Sequence, residues 1–266
     1  MTIGGRRVYA IQVAEKGIIW TRLHASGVPG HGSMPHADNP AHHLAGAVSR
    51  LAAAPPSGDP PAVVRTFFEG IGLGAVVDRM AADPDGAVAL LEEHVTDPTM
   101  RRSLGAMLRD TINPTVIHVG AKVNVIAGTG TAEVDVRTLP GTDQAAFTRW
   151  MGVLAGPDVT VEAVMSLPAT EAPVDAPIVD LMREALGRAD PEAAALPMMI
   201  TPGTDAKALA HLGIPTYGFV PLRLDAGTPF LDLYHGHDER LPVSALAFGL
   251  PVLYEVVERF CAADPA

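Results

Sequence analysis

Residues 131–137, Thr131-Ala132-Glu133-Val134-Asp135-Val136-Arg137, alternate apolar side chains with charged ones. That two-residue period puts Ala132, Val134 and Val136 on one face of a β-strand and Glu133, Asp135 and Arg137 on the other, so the strand belongs to a sheet with one buried and one wet face. Upstream, residues 115–119 and 122–126 carry strand signals of the same kind. Residues 8–13 and 18–25 are rich in β-branched and aromatic side chains, and Glu15-Lys16-Gly17 between them reads as the turn of a strand pair. Asn39-Pro40 offers an N-cap and a proline at the first helical position, after which Leu44, Ala47, Val48 and Leu51 recur on one helical face. A proline-rich stretch from Ala54 to Pro61 then breaks the pattern, and shorter helical runs punctuated by Asp83-Pro84 and Asp97-Pro98 read as a helical insertion over about residues 55–112. Residues 143–154 (helix) and 159–164 (strand) complete an α+β unit ending near Met165. Further on, helix 178–186, strand 197–200, helix 206–212, strand 216–219 and helix 244–260 alternate, as in a parallel α/β sheet. These strands are too few for a doubly wound sheet to stand alone, and Pro251 is expected to kink the last helix.

The chain has 266 residues, 48% of them hydrophobic, enough to bury a substantial core. A formal net charge of −11 excludes non-specific binding to nucleic acid or anionic membranes and leaves small-molecule chemistry open. One cysteine, Cys261, excludes both an internal disulfide framework and a thiolate zinc cluster, so any metal rests on histidine and carboxylates. No stretch has the 18 or so uninterrupted apolar residues of a membrane helix. The first residues, Met1 to Arg7, have no signal-like apolar core, from which a cytoplasmic location is the expectation.

Four segments carry residues suited to chemistry. Gly30-His31-Gly32 sets a histidine between glycines, where the imidazole can project freely; the bland alternative is a loop with an exposed histidine. His42 and His43 are adjacent on a helix, about 100° apart, and read as surface histidines. Asn124 and Arg137, on strands read as neighbours, could converge on a carboxylate, although a surface ion pair would explain the same residues. Pro202-Gly203-Thr204-Asp205 lies between a strand and a helix, where backbone N–H groups could hold an anion or Thr204 could simply cap the helix. His235-Gly236-His237-Asp238-Glu239 is the densest group of ligand-capable side chains, but one loop cannot easily aim all of them at one ion.

In order and spacing, EKGIIWTRLHASGVPGHGSMP (15–35), VGAKVNVIAGTGTAEVDVRTLPGTD (119–143), PGTDAKALAHLGIPTYGF (202–219) and HGHDERLPV (235–243) resemble the M20 metallopeptidase family of carboxypeptidases, aminoacylases and deacylases. The resemblance implies an α+β lid, or dimerisation, domain with an antiparallel sheet, followed by the C-terminal half of an α/β zinc-peptidase catalytic domain. Residues 1–14 would end an N-terminal catalytic segment, 15–165 form the lid with its insertion, and 166–266 complete the catalytic part. It implies two zinc ions in the complete protein, with His235 as the C-terminal metal ligand four residues before Glu239. His31 would be the lid histidine that reaches a partner's active site and polarises the scissile carbonyl. Asn124, Arg137, Gly203 and Thr204 would anchor substrate. The family's H-x-D segment, bridging Asp and Glu-Glu pair, expected ahead of the lid, do not occur in residues 1–14, so the chain reads as N-terminally truncated. The expected function is hydrolysis of amide bonds in small peptides or N-acyl amino acids by a homodimer, with neither nucleic acid nor membrane as partner. The alternative is a dimerising, regulatory remnant without catalysis.

Overall fold

The computed structural model describes residues 1–3, 5–54, 58–225, 227–234 and 236–262. The chain divides into two compact units, one of Met1–Glu15, Asp59–Leu108 and Thr170–Ala266, the other of Lys16–Gly58 and Arg109–Ala169. In chain order, β1 (Thr2–Ile3) and β2 (Arg6–Glu15) belong to the first unit, and β3 (Gly17–Ser26), β4 (Gly30–His31) and α1 (Pro40–Ala52) to the second. Helices α2 (Ala62–Gly70), α3 (Gly74–Met80), α4 (Pro84–His94) and α5 (Pro98–Met107) return to the first unit. The second resumes with β5 (Thr111–Val119), β6 (Val125–Ile126), β7 (Thr129–Thr138), α6 (Gln144–Ala155) and β8 (Val159–Leu167). The first ends with β9 (Thr170–Glu171), α7 (Pro177–Ala189), β10 (Ala194–Ile200), α8 (Ala206–Ala210), β11 (Gly218–Phe219), α9 (Phe230–Leu233) and α10 (Val243–Ala262).

The second unit is an antiparallel sheet in the order β5-β7-β3-β8, with α1 and α6 on one face. Its pattern is the one seen in residues 131–137: Ala132, Val134 and Val136 are at most 2% exposed, while Glu133, Asp135 and Arg137 keep partial access to water. Ile19 and Leu23 of β3, Leu44 and Leu51 of α1, and Phe147 and Met151 of α6 close the core against that face. The Asn39 side chain accepts the Ala41 N–H at 2.9 Å, so α1 begins where the Asn-Pro pair puts it. Asp143 caps α6 in the same way through the Ala146 N–H at 2.9 Å. Pro114 lies on edge strand β5 at a break in register, the position where a residue without an N–H costs the sheet least. His42 is exposed, and His43 is partly buried between Asp38 (3.3 Å) and Asp158 (3.6 Å).

In the first unit β2 is the central strand, parallel to β10 and antiparallel to β1, β9 and β11. Neighbouring residues Val8 and Tyr9 point to opposite faces and are at most 4% exposed, so β2 is covered on both sides. Arg7 and Tyr9 of β2 donate hydrogen bonds to Asp190, just after α7, at 2.7 and 2.9 Å. Burial raises the Asp190 carboxyl, but these two bonds together with the positive charges of Arg7 and Arg223 hold the group below its ordinary value. Asp83 and Asp97 cap α4 and α5, which explains the two Asp-Pro pairs.

Four expectations need correction. β2 and β3 do not pair: β2 bonds only to first-unit strands and β3 only to β7 and β8, with Lys16 alone between them. One intervening residue does not supply the two-residue turn of a tight hairpin. The first-unit sheet is mixed, because β11 runs antiparallel to β2 and only β10 is parallel. Residues 122–124 form a turn closed by Val125 N–H to Lys122 C=O at 3.2 Å, so the strand expected there is reduced to β6. The helical insertion, placed by sequence inside segment 15–165, clusters with the first unit, where α2 packs on β10 and Gly70 approaches Leu196 closely. Helix α10 continues through Pro251. Among the described residues no helix is long and apolar enough to cross a membrane.

Candidate functional site

In the second unit, β4 and β6 form a two-stranded ladder with Gly30 opposite Ile126 and His31 opposite Val125. The Gly32 N–H donates to the Asn124 C=O at 2.8 Å, which brings His31 and Asn124 onto one exposed loop cluster. Neither Gly30 nor Gly32 has a positive φ. What Gly32 provides is room, since a Cβ there would stand 3.1–3.3 Å from the Asn124 backbone. The His31 ring is oriented by a neighbour: Nδ1 accepts the Ser33 N–H at 3.2 Å and lies 2.8 Å from Ser33 Oγ. An imidazole whose Nδ1 accepts a backbone N–H carries its proton on Nε2 when neutral. His31 therefore presents an Nε2–H donor from an exposed loop. The nearby His36 has its Nε2 buried beside Gly30, with no hydrogen-bond partner.

Arg137 is not on a strand adjacent to Asn124, because β7 pairs with β3 and β5 while Asn124 precedes β6, which pairs with β4. Its guanidinium grips Asp135 through Nε at 2.6 Å and Nη2 at 2.9 Å, an i,i+2 pair on the wet face. The surface ion pair that sequence allowed is thus formed, and Nη1 is left to face a second acceptor.

Gly203 and Thr204 belong to the first unit, on the loop between β10 and α8. Thr204 Oγ1 accepts the N–H of Ala206, the first residue of α8, at 3.1 Å, while Asp205 at the N-cap position makes no side-chain capping bond. Its own N–H and hydroxyl both donate to Glu15 Oε2, at 2.9 and 2.7 Å. Glu15 is fully buried, and its Oε1 lies 3.2 Å from Nζ of Lys207, which is also buried. This cluster is not legible in the sequence, because Glu15 before Lys16-Gly17 reads as a turn residue. The available signal was a carboxylate ending an otherwise apolar strand.

His235 lies outside the described residues. Three residues further along the chain, Asp238 takes φ +60, a backbone state that Asp tolerates better than most side chains. Thr228, Leu233, Arg240 and Pro242 line a cavity of about 250 Å³ in the same segment. Among the described residues no three His, Cys, Asp or Glu side chains converge on a point that could hold a metal ion. The described residues therefore do not by themselves fit a zinc centre, which needs about four ligands.

A family model described as a peptidase dimerisation domain of the M20 type matches residues 13–151. The chain is 25% identical over 242 residues to a probable carboxypeptidase S-like 2 of Dictyostelium discoideum, covering 89% of this chain and 45% of that protein. It is 24% identical over 261 residues to the N-fatty-acyl-amino acid synthase/hydrolase PM20D1 of Homo sapiens, covering 93% and 50% respectively. The solved di-peptidase Dug1p of Saccharomyces cerevisiae shares the fold at a TM-score of 0.65 and 11% identity, over 98% of this chain and 57% of that one. The chain thus spans about half the length of the curated relatives it matches.

Proposed function

We propose, from the premise that this chain belongs to the M20 peptidase and amidohydrolase family, that it serves the hydrolysis of amide bonds in small peptides or N-acyl amino acids. The observation that carries this reading is the orientation of His31, whose Nδ1 is tied to Ser33 so that Nε2–H faces outward. A fixed donor of this kind steadies the oxyanion that develops as a hydroxide adds to an amide carbonyl. Arg137 adds a carboxylate grip through its remaining Nη1 face, Asn124 holds substrate beside His31, and Gly203 and Thr204 form the anchoring loop of the other unit. A homodimer formed through the 16–58 and 109–169 unit would carry His31 into a partner's site. Sedimentation of the chain at high concentration should show a dimer, and a monomer alone would remove that step.

The metal expected for this family is zinc, two ions in the complete machinery, with His235 as one ligand. The other ligands would come from polypeptide outside these 266 residues, in keeping with the half-length match to the curated relatives. Helix α10 supports this arrangement. Val243, Leu246, Leu250, Leu253, Val257 and Phe260 recur at spacings of three and four and stay 38–80% exposed. A continuous apolar stripe of this size resembles a domain core cut open, not an ordinary monomer surface. The chain alone should bind less than one equivalent of zinc and turn over no N-acyl amino acid, as read by metal analysis and a hydrolysis assay, because a closed site needs about four ligands. Two tightly held zinc ions with turnover would mean that ligands have been missed. A second reading, a dimerising regulatory remnant, is favoured by the same lack of a converging ligand set among the described residues. It gains if turnover stays absent when an M20 segment bearing H-x-D and Glu-Glu is added.

A further inference from the structure

We infer that Glu15 and Lys207 form a buried latch that holds the Pro202–Asp205 loop in place, making Glu15 a positioning residue for the anchoring loop proposed above. The starting point is where Glu15 stands. β2 and β10 are parallel, and their ladder ends with Ile200 opposite Glu15, the last residue of each strand. In parallel α/β sheets, ligand-binding loops gather beyond the carboxyl ends of the strands. Glu15 ends one such strand, and the loop bearing Gly203 and Thr204 follows the other.

The chemistry at that point is costly to build. Glu15 is 0% exposed and Lys207 5%, and two buried charges lose several kcal/mol each in hydration unless geometry and hydrogen bonds compensate. Compensation is visible: Oε2 takes both Thr204 donors, Gln12 Nε2 approaches it at 3.4 Å, and Oε1 faces the Lys207 Nζ at 3.2 Å. An apolar pair would fill this space more cheaply. What an apolar pair cannot do is fix the direction of the Thr204 N–H and O–H, and through Oγ1 the Ala206 N–H. The latch thereby sets the backbone at Gly203, which is exposed and carries no side chain of its own to fix it. Both members come from the first unit, so the latch is complete within it.

The test uses the full chain and two variants, E15Q and the charge-free pair E15Q/K207M, the second guarding against failure to fold because it leaves no buried charge unpaired. In E15Q, either amide orientation turns an NH₂ toward Thr204 or toward Lys207, donor against donor. Amide hydrogen exchange is read residue by residue. Thr204 and Ala206 should exchange about 10- to 100-fold faster in both variants, the loss of a hydrogen bond to a charged acceptor, while β2 and β10 amides keep their protection. If Thr204 stays within about twofold of wild type, well short of that loss, the latch is wrong. Uniform acceleration across β2 and β10 in the charge-free pair also overturns it, since the two residues would then serve the sheet and not the loop. In a preparation with hydrolase activity, E15Q/K207M should raise KM for a carboxylate-bearing substrate by about tenfold or more with little change in kcat, the sign of lost substrate anchoring. A kcat loss with KM unchanged would instead place Glu15 in the chemical step. If no preparation turns over substrate, the hydrolase reading fails, while the exchange result still decides the latch.

Discussion

His31→Ala should lower kcat by about 10² to 10³, the usual effect of removing one oxyanion donor, in a preparation where the metal ligands are complete. Stability should stay almost unchanged. His31 is exposed, its β4 ladder with β6 is made by backbone, and among the described residues its side chain bonds only to Ser33. Arg137→Ala should behave differently, because a group gripping the substrate carboxylate equally in ground and transition states raises KM and leaves kcat alone. Ser33→Ala provides a third comparison: the Ser33 N–H still holds Nδ1, so only the hydroxyl contact is lost and the fall in kcat should be well below that of His31→Ala. A kcat for His31→Ala within about twofold of wild type would be far from the oxyanion-donor effect and would reduce His31 to the exposed loop histidine of the plainer reading. Mixing His31→Ala with a subunit inactivated at its metal ligands adds a test of reach, since recovered activity would place His31 in a partner's site.

How much of this could be read in the sequence depended on whether the signal was local. The caps are local, and Asn39, Asp83, Asp97 and Asp143 each begin a helix by accepting an N–H two or three residues on. The alternation in residues 131–137 is local too, and its faces are buried and wet as expected. Pairing is not local. A strand covered on both sides, like β2, and a strand with one wet face, like β3, can follow each other with any partner, and only β2's apolar run Val8-Tyr9-Ala10-Ile11 hints that they belong to different sheets. For the same reason the insertion was assigned by its position in the chain, while Phe67 and Phe68 are buried in the first unit. Helix α9, Phe230–Leu233, is too short to show a period at all. At the site, the glycine-flanked histidine was visible from its neighbours, but the Ser33 contact that orients the ring depends on loop geometry. Glu15 and Lys16 were hidden by their charge, because charged residues beside a glycine look like a solvated turn.

Lys16 and Gly17 show what that apparent turn does instead. Lys16 is 0% exposed, with Nζ donating to the Arg109 C=O at 2.7 Å, and burial pulls its ammonium pKa down to about 7. Gly17 follows in strand β3, opposite Thr138 of β7, and its φ is not positive. Its need is space: a Cβ there would stand 2.3 Å from Thr138 Oγ1, 2.5 Å from Gln144 Nε2 and 3.0 Å from the Ala169 backbone nitrogen. Gln144 cannot swing aside freely, since its Nε2 donates to Thr138 Oγ1 and the Leu167 C=O at 3.2 and 2.9 Å. Thr138, β-branched and 1% exposed, has little rotamer freedom to yield. Gly17→Ala should therefore destabilise the second unit by about 3 kcal/mol, the upper range for forcing a methyl into a packed site, read as a lower urea midpoint with an unchanged slope. Adding Thr138→Ser, which removes the branch methyl but keeps the hydroxyl, should recover little, because the clash is with oxygen. Thr138→Ala removes that oxygen and should recover part of the loss in a double-mutant cycle. A cost for Gly17→Ala below about 0.5 kcal/mol, the range of an ordinary surface substitution, would mean that the β3–β7 register relaxes around the new methyl and that Gly17 is the simple turn residue first read there.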